Sequence, residues 1–154
     1  RESVRAELAT VTRDADALTG VLAHWGLSGV ADQHPYTLSA GQKRRLALAL
    51  LTASPRWEAL ILDEPTAGLD WRGSQTIAAR IRALAAEGRA VAVITHDPDF
   101  ALRVADRALV LAGGRIAADG PAATVLSDAA LLARAGLAPP EAAALLPLLG
   151  GDRC

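Results

Sequence analysis

The feature that most constrains this chain is a short apolar run that stops abruptly on charge, and it occurs twice. Ala59-Leu60-Ile61-Leu62 ends in Asp63-Glu64-Pro65, and Val91-Ala92-Val93-Ile94 ends in Thr95-His96-Asp97. Neither run alternates, which predicts parallel strands buried on both faces, because such strands have no solvent side to pattern. Between them Ile77, Ile81 and Leu84 share one helical face and Gly88 supplies a stop. The order is therefore strand, helix, strand, with a right-handed crossover expected. The fold class that follows is α/β, with parallel core strands and flanking helices.

Punctuation organises the rest. From Thr12 to Trp25 the apolar positions Leu18, Val21, Leu22 and Trp25 keep helical spacing, and Gly26 stands where helices commonly close. Gly29 to Leu38 reads as a loop. Ser39 with Gln42 three residues on has the spacing of a capping box, so a second helix is expected from about Ala40 to Thr52. Beyond the second strand a helix opens at Pro98 behind Asp97, and Ala108 to Leu111, Gly113-Gly114 and Arg115 to Ala117 signal a hairpin. Short terminal helices are expected after Ser127-Asp128 and at Pro140, and Leu145 to Cys154 reads as a fraying end.

Composition sets the class. With 154 residues, 51% of them hydrophobic and a net charge of -1, the chain can bury a core yet offers no basic excess for nucleic acid or an anionic membrane. No apolar run approaches the roughly 18 residues that spanning a bilayer requires. A single cysteine, Cys154, excludes an intrachain disulfide and a thiolate metal cluster, so a reducing cytosolic setting is expected. The chain starts at Arg1 and contains no methionine, which leads us to expect a fragment of a longer product. Lys43 is the one lysine among sixteen basic residues.

Asp63 and Glu64 stand where open α/β sheets bind their ligands, at the carboxyl end of a strand. Asp63 suits a hydrated magnesium ion, which takes one or two carboxylates together with phosphate oxygens and water. Glu64 suits polarisation of a water for attack on a phosphoryl group. The alternative is that Asp63 caps a turn before Pro65 and Glu64 is merely solvated. Ser39 and Gln42 can likewise do no more than cap a helix, and Asp70 is a good N-cap in its own right. His24 and His34 read as ordinary surface residues, and Lys43-Arg44-Arg45 as a solvated helix face.

The ordered set Leu38-Ser39-Ala40-Gly41-Gln42, Leu62-Asp63-Glu64-Pro65-Thr66-Ala67-Gly68-Leu69-Asp70 and Ile94-Thr95-His96-Asp97 resembles the second half of the ATPase subunit of ATP-binding cassette (ABC) transporters. The resemblance implies a partial P-loop NTPase fold. Its helical and signature region would be 1–58, its Walker B, D-loop and switch-histidine core 59–120, and its C-terminal helical tail 121–154. It implies ATP and Mg2+ as cofactors, Asp63 as the metal residue, Glu64 and His96 as catalytic residues, and Ser39, Gly41, Gln42 and Asp70 as nucleotide-binding residues acting across a pair of ATPase subunits. Partners would be that second subunit and transmembrane transporter subunits, which alone would hold it at the cytoplasmic face of the membrane.

Two departures from the family stand out, Ala40 where glycine is usual and Trp71 where proline is frequent. The glycine-rich loop ending in Gly-Lys-Ser or Gly-Lys-Thr is missing, since Lys43 lies between Gln42 and Arg44. Gln33, Gln42 and Gln75 have contexts unlike the family's Q-loop, and its base-stacking aromatic is also missing. Asp119-Gly120-Pro121, Val125 to Asp128 and Leu131 to Pro140 resemble the tail of energy-coupling factor ATPases, which serve importers of vitamins, cobalt and nickel. A nucleic-acid or translation ATPase of the same family, and a remnant without activity, are the competing readings.

Overall fold

The computed structural model describes residues 2–12, 14–54 and 57–141. The helix expected at Pro140 and the fraying end lie wholly or almost wholly outside them. The chain resolves into two compact units, Arg1–Ala92 and Val93–Cys154.

The first unit opens with helix α1 (Val4–Leu8), which the sequence reading passed over, capped by the Ser3 hydroxyl accepting from the Ala6 amide. Helix α2 (Ala15–His24) is capped by Asp14 and ends as the spacing predicted, but begins three residues later than Thr12. Gly26, at a φ of +61°, closes it: the Gly26 amide donates to Ala23 O and the Leu27 amide to Leu22 O. A residue with a Cβ would meet strain there. The loop that follows holds two 3-10 turns, Ser28–Val30 and Pro35–Thr37. His34 serves the second of them. Its Nδ1 accepts from the Tyr36 amide at 3.2 Å and its ring stacks on Tyr36, so Nε2 carries the proton given to Glu2.

Helix α3 (Ala40–Ala53) packs against α1 and against α4 (Trp71–Ala86), and Leu46, Leu48, Ala49 and Thr52 form its buried side. Strand β1 (Ala59–Asp63) precedes α4, and strand β2 (Ala90–Ile94) follows it. The two strands form a parallel pair. Their burial departs from expectation. Leu60 and Leu62 are buried, whereas Ile61 is 73% exposed and β2 alternates between half-buried and exposed residues. Among the described residues only one face of β1 is covered, so an apolar run that reads as two-sided burial shows a one-sided pattern.

In the second unit Asp97 caps helix α5 (Pro98–Val104), accepting from the Phe100 amide at 2.9 Å. Strands β3 (Arg107–Ala112) and β4 (Arg115–Pro121) make the expected antiparallel hairpin, whose turn residues Gly113 and Gly114 both have positive φ. Such a pair supplies the turn whose twist matches the strands. A bulge at Ala117 separates the pairs Val110 with Ala118 and Leu111 with Ile116. Helices α6 (Ala122–Val125), not foreseen, and α7 (Ala129–Arg134), capped by Asp128, complete the unit. Its core is Val110, Ala122, Val125, Leu126, Leu131 and Leu132. On the hairpin Arg107 donates two bonds of 2.7 Å to Asp119. That hydrogen bonding holds the Asp119 carboxyl below its ordinary range and raises Arg107 above its own.

Candidate functional site

The site builds from the start of α3. Ser39 has extended backbone, and its hydroxyl accepts from the Gln42 amide at 3.3 Å while the Gln42 Oε1 accepts from the Ser39 amide at 2.8 Å. The capping box that spacing predicted is present on both sides. It leaves the amides of Ala40 and Gly41, which by helix geometry find no acceptor within the helix. Their positive end favours an anion. A Cβ placed on Gly41 would lie 3.9 Å from Gly68 O, with no other contact within 4 Å, so internal packing does not require glycine there.

The second part is the end of β1. Asp63 is exposed and Glu64 half-buried. Glu64 has a φ of +43°, in the left-handed region, which costs a side-chain-bearing residue about 1–3 kcal/mol. Glu64 O accepts from the Ala67 amide at 3.1 Å, the Leu69 amide donates to Thr66 O at 3.0 Å, and Gly68 carries a φ of +73°. The turn delivers the chain to Asp70, whose Oδ1 accepts from the Gly73 amide at 2.7 Å and starts α4.

Arg44 joins the two parts. Its Nη2 donates to Asp63 O at 3.1 Å and to Glu64 O at 2.5 Å. The solvated-face reading of Lys43-Arg44-Arg45 therefore holds for Lys43, which is exposed, and fails for its neighbours. Arg44 and Arg45 are half-buried, each with a buried Nε that has no hydrogen-bond partner. A signal was available: Arg44 lies four residues before Leu48 and three after Gly41, and so on the helix side that turns toward the protein.

Ser39, Gly41, Gln42, Asp63, Glu64 and Asp70 all belong to the first unit, and the helix start and strand end meet through Gly41 beside Gly68 and Arg44 on Asp63 and Glu64. His96 stands in the second unit, exposed, just past the end of β2. Among the described residues no group of three or more His, Cys, Asp and Glu side chains could hold a metal by itself. An exposed Asp63 nevertheless suits magnesium, whose shell is completed by water and phosphate oxygens. The uncommitted amides at the start of α3 suit a nucleotide phosphate.

The ABC transporter family profile matches residues 1–67. The cobalt import ATP-binding protein CbiO of Rhodobacter capsulatus is 45% identical over 119 residues, covering 77% of this chain and 42% of that protein. The nickel import ATP-binding protein NikO of the same organism is 44% identical over 122 residues, 77% of this chain and 47% of its own. Among solved structures, ribosome-bound archaeal Pelota and ABCE1 contains a chain matched at a TM-score of 0.69 and 28% identity, covering 79% of this chain and 21% of that one. The chain spans less than half the length of these relatives. The fold is that of the ABC ATPases, as the P-loop NTPase expectation had it. By profile over residues 1–67, by sequence identity and by fold, the chain is similar to the ATP-binding proteins of ABC transporters.

Proposed function

We propose that this chain supplies the hydrolytic strand end and the signature helix of an ATP-binding importer subunit of the energy-coupling factor type. Hydrolysis of ATP between two such subunits, alike or different, would drive uptake of a metal ion or vitamin through transmembrane partners, with the subunit at the cytoplasmic face. The observation that carries this reading is the joining of a capped, anion-competent helix start to the Asp63-Glu64 strand end by Arg44.

The residue roles follow from chemistry. Asp63 offers a hard oxygen donor for magnesium and Glu64 takes a proton from the attacking water. The amides of the α3 start, with Ser39 and Gln42, face the phosphate of a nucleotide held by the opposite subunit. Asp70, while capping α4, sits in the segment that would relay between the two sites, and His96 would contact the terminal phosphate. ATP supplies the phosphoryl group to be hydrolysed. Relatives named for cobalt and nickel import favour a metal cargo. They are also more similar to this chain than is the ribosome-bound structure, at 28% identity, which speaks against the translation reading.

The test uses the full-length subunit that carries this chain. Glu64→Gln keeps size and removes the base, so turnover should fall by about 10²–10⁴-fold while ATP binding and subunit pairing persist. Near-normal turnover in that variant would assign the base elsewhere.

A further inference from the structure

The backbone around Glu64 is held by a residue of a different element. The two carbonyls that Arg44 binds, Asp63 O and Glu64 O, belong to the peptide units on either side of the Glu64 Cα. The first unit turns about φ of Glu64 and the second about its ψ. One nitrogen bonded to both carbonyls therefore restrains both dihedrals at once, and it does so at the one described non-glycine residue with positive φ. A strained conformation persists only where its surroundings over-determine it. Here the restraint comes from Arg44 Nη2 together with the Ala67 amide on Glu64 O, against the buried ring of Pro65.

We infer that Arg44 is a positioning residue, which fixes the direction of the Glu64 side chain by pinning its backbone in the left-handed conformation. The inference rests on Glu64 being the general base, as proposed above. It also makes the placement of that base depend on the helix whose start faces the phosphate. Arg44 lies one turn beyond Gly41, and any shift of α3 along its axis moves the donor away from both carbonyls. Neither the capping box nor the charge of Arg44 is needed for this role. What matters is a donor with two protons at that distance.

The experiment is a cycle of variants in the full-length subunit, read by single-turnover ATP hydrolysis, by KM for ATP and by thermal melting. Arg44→Ala should lower the rate by about 10–100-fold, the cost of misplacing a reacting group by about an ångström, with KM little changed. Arg44→Lys keeps a donor and should recover part of that loss. If Arg44→Ala fails to fold, Arg44→Lys carries the cycle. Combined with Glu64→Gln, either variant should produce no further loss, since Arg44 acts through the side chain already removed. An unchanged rate in the folded Arg44 variants would overturn the inference, and so would losses that multiply with that of Glu64→Gln. If Glu64→Gln alone retains turnover, the base assignment is what fails, and the Arg44 variants are not needed to show it.

Discussion

Helices α3 and α4 begin in the same way and use glycine for opposite reasons. Each has a polar N-cap, Ser39 or Asp70, that accepts a hydrogen bond from the third residue of its helix. In α3 the glycine of the first turn, Gly41, has ordinary space around it. In α4 a Cβ on Gly73 would come within 3.1 Å of both Asp70 Oδ1 and Leu69 Cβ. Gly73 is thus demanded by the chain's own packing. The fold makes no such demand at Gly41, so a need for glycine there would come from outside the chain, from the phosphate proposed above. The contrast teaches that a glycine in a motif speaks of a ligand only after its own neighbours have been ruled out as the reason.

The sharpest way to break this comparison is Gly41→Asp in the full-length subunit. A carboxylate at the helix start would repel a phosphate and block the approach of backbone to it. ATPase activity should fall by about 10²-fold or more, with the melting temperature nearly unchanged. In a mixed dimer the damage should appear at the site whose phosphate loop belongs to the other subunit. A melting loss as large as the activity loss would make Gly41 a packing residue after all.

The converse substitution, Gly73→Val, should destabilise the fold by about 1–3 kcal/mol, the usual cost of forcing volume into a packed place. Denaturant unfolding would show it, and an unchanged midpoint would remove the distinction between the two glycines. The smallest effects belong to the caps. Ser39→Ala and Asp70→Ala should each cost about 1 kcal/mol of stability. Only the first also removes a hydroxyl from the proposed phosphate site, so nucleotide affinity measured alongside stability should separate the pair.

Much of this was readable in the sequence because it is local. The capping box needs only Ser39 and Gln42 three residues apart, and the hairpin only Gly113-Gly114 between two apolar runs. The closing glycines of α2 and α4 were legible for the same reason, both taking positive φ. What escaped depends on partners distant in the chain. The exposure of Ile61 is set by how many layers cover β1, which an apolar run cannot state. Arg44 reads as one charge in a run of three: its spacing from Leu48 marks its side of the helix, but its acceptors are carbonyls 19 and 20 residues away, and backbone carbonyls leave no mark in a sequence. The short helices α1 and α6 have too few turns to show a period.

The hairpin of the second unit carries a last consequence. Leu109, Leu111 and Ile116 are 55%, 67% and 60% exposed, and Leu111 pairs directly with Ile116. Val110 points the other way, into the core. A two-stranded ribbon with a bare aliphatic face and, among the described residues, unpaired outer edges is a template for another strand. During synthesis and handling this surface is open to misassociation, and the charged pair Arg107 and Asp119 near the open end works against it. A chain released with that face uncovered would depend on prompt burial or on a chaperone to stay in solution.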